Sequence, residues 1–404
     1  MNAGLIVFIV LIVLAFLGLP IFEAIAAGTM LAMWFGGFPL ETMAQKTFLG
    51  LNSSSLLSIP FFILAGNLMA RGITQKLIGV ANVLLGRVRG ALGSVTVLAS
   101  ALFGAISGSA VATVAAIGGM TIPAMKDEGY DPDYSAALSS AASLLGPMIP
   151  PSITLIVYAG LTEASVQKLF LATLTPAILC TVAFLAYTLW YGKKKNLPKQ
   201  PKKTAKEAGK IMLDAIWALL LPVIVLCLYS AVVSLFIYKT ITFKDLLKIL
   251  GDSAVSIAAI MILVGMSKAT AYVVISSQMP QLFMDFITSI TDSRFVVLLI
   301  INVIFLILGC LMEGNCIIVM MVPLLLTLVK SFGIDLLQFG VMSAINIYIG
   351  CITPPVGVSL LLGCKLGKTS VGGTFKAILP FFAISMVILI LVTYWPSFTL
   401  WLIH

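Results

Sequence analysis

The sequence predicts an all-α polytopic membrane protein built from two related halves. Of its 404 residues, 60% are hydrophobic and only 10% are charged, which lies far from the composition of soluble domains. Several apolar stretches approach or exceed the roughly 20 residues that a helix needs to cross the hydrocarbon core. These stretches do not alternate with period two, so helices are expected in place of barrel strands.

A motif that occurs twice indicates the two halves. Gly129–Asp131 precedes Gly146–Pro151, Gly333–Asp335 precedes Gly350–Pro355, and corresponding residues lie 204 positions apart. Each motif ends in two prolines, which remove backbone donors and disfavour a helix before them. Lipid tolerates the freed carbonyls only where they face protein or a polar cavity. Matched breaks in two halves therefore point to the central binding site of a secondary transporter.

The first half begins with two apolar segments, Met1–Leu19 and Ile21–Phe38, which are predicted to be helices, followed by a polar connection over residues 39–55. Residues 91–125 carry very small side chains, with serines and glycines concentrated at 104–113. Such residues can serve close helix packing, but their clustering favours a re-entrant hairpin whose tip exposes hydroxyls and carbonyls. A broken pair of segments is expected over residues 152–191.

The second half restarts near Ile211. Ile216–Ile237 is apolar, Lys239–Asp252 is a short amphipathic stretch, and Ser253–Ser276 is a further apolar segment. A second hairpin is expected from Phe295 to Val329, with its polar tip at residues 313–315. Residues 375–395 form the last span.

The net charge of +9 is concentrated in one segment, where residues 193–210 hold eight lysines opposed only by Glu207. Between membrane segments, such a run predicts a cytoplasmic linker by the positive-inside rule. Contact with anionic lipid is the alternative. This distribution does not suggest a nucleic-acid partner.

Few charged residues fall within apolar segments, and such residues are costly enough to suggest function. They are Glu23, Lys268, Glu313 and Lys365. Glu23 is close to a helix start, and Lys365 can extend to the interface. Glu313, beside Gly314 and Asn315, is the best candidate for a polar tip. Lys268 either balances a substrate carboxylate or pairs with a neighbour.

The residues give little support to an enzyme. The only histidine is His404, the six cysteines show no metal-binding spacing, and no phosphate-binding or hydrolase motif is present. ATP is therefore not expected as the energy source. Residues 1–19 lack the basic start and cleavage site of a signal peptide, so an uncleaved first helix is expected.

Motifs spread over nearly the whole chain resemble the large membrane subunit of TRAP (tripartite ATP-independent periplasmic) transporters, particularly the sialic-acid and sugar-acid branch. The resemblance is carried by SIPFFILAGNLM (58–69), SGSAVATVAAIG (107–118), IPPSI (149–153), MEGN (312–315) and FGVMSAINIYIGCITPPVG (339–357). It implies a Na⁺-coupled importer of an organic acid, such as a sialic acid, a sugar acid or a C4-dicarboxylate. It also implies a periplasmic binding protein and a small four-helix membrane subunit as partners, and the bacterial inner membrane as the location.

The resemblance implies two inverted-topology repeats and an elevator-type mechanism. Residues 1–192 and 211–404 would form the repeat halves, joined by the basic linker 193–210. Scaffold helices would cover about 1–50, 165–192 and 211–250, and transport elements about 52–164 and 253–365, with a last helix at about 375–395. The chain departs from the family pattern after Cys227, where about one membrane helix of sequence is absent.

Two Na⁺ sites are expected, one at each break, because unwound carbonyls can replace the hydration shell of a hard cation. The predicted ligands of the first half are Gly104, Ser107, Gly146, Ile149 and Pro151, and those of the second are Gly309, Gly350, Thr353 and Val356. The substrate is expected between the hairpin tips, near Ser109, Thr113, Glu313 and Asn315. Two alternatives stay open: a carboxylate carrier that needs no binding protein, and an anion channel.

Overall fold

A computed structural model describes residues 2–17, 19, 21–51, 60, 64, 74–199, 204–219 and 243–403. Every regular element within these ranges is helical, in agreement with the all-α prediction. Within them, five helices are long and apolar enough to cross a membrane, or six if the bent pair Pro132–Met148 and Ile153–Thr162 counts as one span. The SIPFFILAGNLM motif and the departure after Cys227 lie outside the described residues, apart from Pro60 and Leu64.

The helices of the first half begin at the N-terminus and end at the basic linker. They are α1 (Ala3–Phe16), α2 (Ile21–Gly36), α3 (Glu41–Leu51), α4 (Thr74–Leu85), α5 (Ala91–Ser107), α6 (Ala110–Thr113), a π-helical turn (Val114–Gly118), α7 (Gly119–Asp127), α8 (Pro132–Ala142), α9 (Leu145–Met148), α10 (Ile153–Thr162) and α11 (Val166–Lys194).

The helices of the second half follow the linker. They are α12 (Ala205–Leu219), α13 (Phe243–Ser276), α14 (Met279–Ile290), α15 (Arg294–Leu311), α16 (Gly314–Ser331), α17 (Leu336–Cys351), α18 (Val358–Gly367), α19 (Val371–Tyr394) and α20 (Pro396–Leu400).

Two expectations about local structure were wrong. Residues 39–55 are not a polar connection as far as they are described, because α3 occupies residues 41–51 and packs against α13 around Gly265. The amphipathic stretch and the apolar segment that follows it are not separate either, since α13 runs without a break from Phe243 to Ser276. In both cases tertiary packing on a neighbouring helix overrides weak local signals.

The basic linker is shorter than the charge run. Helix α11 ends at Lys194, and α12 begins at Ala205. The start of α12 is fixed by a reciprocal cap, in which the Thr204 backbone N–H donates to the Glu207 carboxylate at 2.8 Å and the Glu207 N–H donates to the Thr204 hydroxyl at 3.3 Å. Such a capping box satisfies otherwise unpaired donors of the first turn.

The duplicated motif adopts the same local structure in both halves. Gly129 and Gly333 have φ values of 83° and 61°, a left-handed region that favours glycine. Two residues later, Asp131 accepts a hydrogen bond from the Tyr134 N–H at 3.0 Å, and Asp335 accepts one from the Gln338 N–H at 3.0 Å. Each aspartate thereby caps the helix that leads into the proline break.

Four composite elements carry these motifs. We define hairpin 1 as residues 91–127, broken helix 1 as residues 132–162, hairpin 2 as residues 294–331 and broken helix 2 as residues 336–367. The arms of each hairpin contact one another. The breaks cover residues 149–152 and 352–357, and each contains a cis peptide bond between its two prolines.

The two hairpins start from opposite ends of α11. The base of hairpin 1 lies at the end of α11, where a Cβ atom added to Gly90 would lie 2.7 Å from the Cα of Gly192. The base of hairpin 2 lies beside the end of broken helix 1, which precedes the start of α11. There the Tyr158 hydroxyl donates to the Leu336 carbonyl at 2.6 Å. A helix of this length spans about 43 Å.

Broken helix 2 runs the other way and ends at the base of hairpin 1. The Lys126 ammonium donates to the Gly367 carbonyl at 3.2 Å, and the Thr374 hydroxyl donates to the Asp133 carboxylate at 3.3 Å. Each broken helix therefore passes from its own hairpin's base to the base of the other hairpin, which brings the two breaks and the two hairpin tips together.

Candidate functional site

Close contacts between glycines pack each hairpin against its own broken helix. A Cβ atom added to Gly104 would lie 2.2 Å from the Cα of Gly146, and one added to Gly350 would lie 2.5 Å from the Cα of Gly309. Such separations are too short for any side chain, so the backbones touch directly. Two of the predicted Na⁺ ligands are thus brought together in each half.

The tip of hairpin 1 is shaped by its local sequence. Helix α5 ends at Gly108, which has a φ of 59° and whose N–H donates to the Gly104 carbonyl at 2.9 Å. Ser109 then caps α6 by accepting from the Ala112 N–H at 3.3 Å. The Pro151 carbonyl abuts this turn, because a Cβ atom added to Gly108 would lie 2.4 Å from its oxygen.

The remaining first-half candidates lie around the same turn. The Ser107 hydroxyl accepts from the Ser109 N–H at 3.5 Å, and Ile149 occupies the break in an extended conformation. These residues place carbonyls and one hydroxyl near the tip of hairpin 1. The described residues contain no group of three or more histidine, cysteine or acidic side chains that could hold a metal ion, so main-chain oxygens are the available ligands.

The second break is tied to hairpin 2 by a backbone hydrogen bond. The Gly357 N–H donates to the Cys310 carbonyl at 3.0 Å. Within the break, the Thr353 N–H donates to the Gly350 carbonyl at 2.9 Å, and the Thr353 hydroxyl donates to the Ile349 carbonyl at 2.8 Å. Val356 is half-buried immediately before Gly357. The hydroxyl oxygen of Thr353 keeps lone pairs that a cation could use.

A cavity of about 140 Å³ lies between the two tips and the two breaks. Both hairpins and both broken helices contribute to its wall, and α13 adds Ile260. The lining residues are Gly108, Ser109, Ala110, Val111, Ile153, Thr154, Ile260, Glu313, Gly314, Asn315, Tyr348 and Cys351.

A hydrogen-bond network joins the two halves across this cavity. The Thr154 hydroxyl, just after the first break, donates to the Asn315 side-chain oxygen at 2.9 Å. The Asn315 amide in turn donates to the Glu313 carboxylate at 2.7 Å. Glu313 is exposed on the cavity wall, whereas Asn315 is buried. The network orients an acceptor-rich carboxylate toward the cavity.

The structure brings together three of the four predicted substrate residues. Ser109, Glu313 and Asn315 line the cavity, but Thr113 does not. The Thr113 hydroxyl donates to the Ser109 carbonyl at 2.8 Å, and it faces Gly146. Thr113 is fully buried, because one turn of helix directs it into the contact between hairpin 1 and broken helix 1.

Sequence reasoning missed two polar residues of this wall, Thr154 and Tyr348. The Tyr348 phenol is buried and faces Thr154 and Ser152, without completing a hydrogen bond to any described residue. The sequence feature that could have identified them is their closeness to the double prolines. Thr154 follows Pro151 by three positions, and Tyr348 precedes Pro354 by six. Position in sequence alone could not say which of these residues faces the cavity.

Paired broken helices that meet paired hairpins around a central cavity define a membrane protein of the secondary-transporter class. Comparison with known proteins identifies the family within this class. A family model described as "Tripartite ATP-independent periplasmic transporter, DctM component" matches residues 5–398. The chain therefore belongs to the DctM family of TRAP transporter large permease components.

Two relatives illustrate the range of this family. The sialic acid TRAP transporter large permease protein SiaM of Vibrio cholerae is 31% identical over 96% of this chain and 95% of its own length. The C4-dicarboxylate TRAP transporter large permease protein DctM of Pseudomonas aeruginosa is 34% identical over 93% of this chain and 92% of its own length. The relatives are transporter permease components, which confirms that the chain is not an enzyme.

A solved structure shares the fold. The Alcanivorax borkumensis YdaH transporter, described as having an unusual topology, superposes with a TM-score of 0.65 over 89% of both chains at 14% sequence identity. At this identity the likeness concerns the fold alone. The family match and the apolar helices together indicate a multi-pass membrane protein.

Proposed function

We propose that this chain is the translocating subunit of a Na⁺-coupled symporter that imports an organic acid through the bacterial inner membrane. The observation that carries the proposal is the cavity between the hairpin tips, whose wall takes residues from both halves. Carbonyls that the proline breaks release lie beside it. Na⁺ would be held by these oxygens, and the substrate would occupy the cavity.

The opposed hairpins support an inverted-repeat arrangement. The end of the molecule at the base of hairpin 1 is rich in basic residues, and the opposite end is not. The basic end holds Arg87, Arg89, Lys126, Lys193, Lys194, Lys195, Lys199, Lys365 and Lys368. By the positive-inside rule this end is cytoplasmic, and hairpin 2 starts from the periplasmic side. A cysteine placed at Lys195 would then be protected from an impermeant thiol reagent outside intact cells, and ready labelling would refute this orientation.

An elevator-type movement follows from this arrangement. The hairpins and broken helices form one interlocked unit around the cavity, because each hairpin touches its own broken helix through glycine contacts. Such a unit can move as a rigid body against the remaining helices and expose the same cavity to either side.

The cavity favours a hydroxyl-rich monocarboxylic acid, such as a sugar acid of the sialic-acid type, over a dicarboxylate. None of its described lining residues is basic, and Glu313 contributes an acidic group. A second carboxylate of the substrate would meet this like charge at close range. Substrate hydroxyls, in contrast, can donate to Glu313 and accept from Ser109.

The partners are proposed on family grounds. The chain would work with a small four-helix membrane subunit and a periplasmic substrate-binding protein, and genes for both beside its own would identify them. No described segment outside the helices is large enough to capture a substrate by itself, since a domain of that kind needs its own buried core.

Uptake by proteoliposomes tests the proposal. The chain, its small subunit and its binding protein should accumulate radiolabelled substrate only with an inward Na⁺ gradient, and collapse of the gradient should stop accumulation. Downhill flux that ignores Na⁺ would support an anion channel instead. Accumulation by the chain alone would support a self-sufficient carrier.

A further inference from the structure

A second and larger cavity lies apart from the hairpin cavity. Its volume is about 420 Å³, and it is enclosed by α3 and α13 on one side and by α10 and α16 on the other. Its lining includes Lys46, Gly50, Leu161, Lys268 and Tyr272. A volume of a few hundred Å³ is that of a small-molecule site.

The charge of this cavity is positive. Lys46 and Lys268 reach it from two different helices, and no acidic residue is among its described lining. Both lysines are half-buried. The Lys46 ammonium lies 5.1 Å from the centre of the Tyr272 ring, and a Cβ atom added to Gly50 would lie 2.7 Å from the Lys268 Cγ. The glycine thus leaves room for the lysine stem.

Lys268 is unusual because it stands in a long apolar helix. A lysine there is costly and suggests a function. The nearby Glu163 acts on it electrostatically, but no ion pair joins Lys268 to any described acid. The simpler role for this residue, pairing with a neighbouring acid, is therefore absent among the described residues, and the ammonium is available to bind an anion.

The two cavities follow one another along the same two helices. Helix α13 contributes Ile260 to the hairpin cavity and Lys268 to the basic one, a rise of about 12 Å along the helix. Helix α16 contributes Asn315 to the first and Val322 to the second, in the direction of the hairpin 2 base. The basic cavity therefore lies between the hairpin cavity and that end of the molecule.

We propose that Lys46 and Lys268 form an outer anion chamber that binds the carboxylate of an organic acid before it enters the hairpin cavity. The order of passage rests on the proposed function, but carboxylate binding in the chamber does not. The chamber supplies the positive charge that the hairpin cavity lacks. Two ammonium groups on separate helices attract the acid, and Glu313 and Ser109 deeper inside bind its hydroxyls.

Equilibrium binding of radiolabelled gluconate to the purified chain in phosphatidylcholine nanodiscs tests the chamber. The medium contains K⁺ and no Na⁺, so that binding coupled to Na⁺ is absent. We expect saturable binding that excess unlabelled gluconate displaces and sorbitol, which lacks the carboxylate, does not. Lys268→Gln should weaken it at least about tenfold, the value of one charge-assisted hydrogen bond. Lys268→Arg should restore it to within about threefold of wild type.

Two control variants isolate the chamber from the rest of the molecule. Lys330→Gln removes a positive charge from the outer end of α16, outside the chamber, and should leave binding unchanged. Asn315→Ala alters the hairpin cavity and tests whether the gluconate bound in K⁺ lies there instead of in the chamber. If Asn315→Ala weakens binding as much as Lys268→Gln, the lysine serves the hairpin cavity and the separate chamber is refuted.

Two further outcomes would overturn the proposal. Wild-type affinity in Lys268→Gln would show that the lysine binds no carboxylate. Loss of wild-type binding in discs that contain phosphatidylglycerol would show that a lipid phosphate occupies the site. Failure of Na⁺-driven uptake, with binding in K⁺ still dependent on Lys268, would refute the proposed function and leave the chamber intact.

Discussion

Hairpin 1 and hairpin 2 each pack against their broken helix through a glycine–glycine contact, yet the polar groups at their tips differ. The tip of hairpin 1 is the compact turn Gly108–Ser109, which offers a hydroxyl and carbonyls. The tip of hairpin 2 is an extended pair, Met312 and Glu313, which offers a carboxylate held by Asn315. A shared backbone frame therefore supports a cavity with one neutral side and one acidic side.

The halves also differ in how tightly they close. A Cβ atom added to Gly104 would lie 2.2 Å from the Gly146 Cα, whereas one added to Gly350 would lie 2.5 Å from the Gly309 Cα. In the second half, the Gly357–Cys310 hydrogen bond joins hairpin to break, whereas in the first half the Pro151 carbonyl only abuts Gly108. The contact between hairpin and broken helix therefore relies on backbone shape complementarity in the first half, and on shape complementarity and a hydrogen bond in the second.

The largest effect is expected from Gly104→Ala. The new methyl group would overlap the backbone of Gly146, which cannot rotate away as a side chain would, and overpacking of this kind costs about 1–3 kcal/mol or more. We expect Na⁺-driven uptake to be lost and the thermal unfolding temperature to fall. Gly119→Ala is the matched control, because nothing lies within 4 Å of a Cβ atom added there. Equal behaviour of the two variants would refute the close contact.

Straightening either break should be the next most severe change. In Pro354→Ala/Pro355→Ala, new N–H donors allow a continuous helix to reclaim the free carbonyls, so the Na⁺ dependence of transport should weaken and its rate fall. Pro150→Ala/Pro151→Ala should act on the first half in the same way. A Na⁺ titration of uptake measures both, and wild-type rate and Na⁺ dependence in either double variant would show that its break holds no ion.

An intermediate effect is expected where the tips differ. Glu313→Gln keeps an oxygen that accepts from Asn315 but removes the negative charge. If the carboxylate reads substrate hydroxyls and repels dicarboxylates, the KM for a sugar acid should rise by about tenfold, the worth of one charge-assisted hydrogen bond. Inhibition by succinate should appear or strengthen.

Asp285→Asn is the charge-matched control for this substitution, because Asp285 lies on α14 and its carboxylate only accepts from Gln281. It should leave the KM unchanged. Wild-type selectivity in Glu313→Gln would show that the carboxylate takes no part in substrate recognition.

The smallest effects are expected from the two hydroxyls at the proposed Na⁺ sites. Thr353→Ala and Ser107→Ala each remove one candidate oxygen while the main-chain oxygens remain, so the Na⁺ concentration for half-maximal uptake should rise by about tenfold or less. Thr121→Ala is a matched control, since its hydroxyl donates to the Ile117 carbonyl at 3.0 Å in the same manner as Thr353 but far from a break. If the three variants titrate alike, the hydroxyls are not ligands.

Local rules account for what could be predicted from the sequence. The double prolines at 150–151 and 354–355 interrupt their helices, Gly129 and Gly333 permit a left-handed turn, and Asp131 and Asp335 cap the next helix. These effects act within a few residues. The all-helical class, both helix breaks and the hairpin tips therefore followed from sequence alone.

Only the tertiary structure decided which residues meet across the cavity. The contact of Thr154 with Asn315 joins positions 161 apart, and the helical phase that turns Thr113 inward and Tyr348 to the wall depends on packing of whole elements. The same holds for α3, whose local signals predicted a connection. Long-range contacts of this kind are set by the fit of apolar faces in three dimensions, which composition and spacing along the chain do not determine.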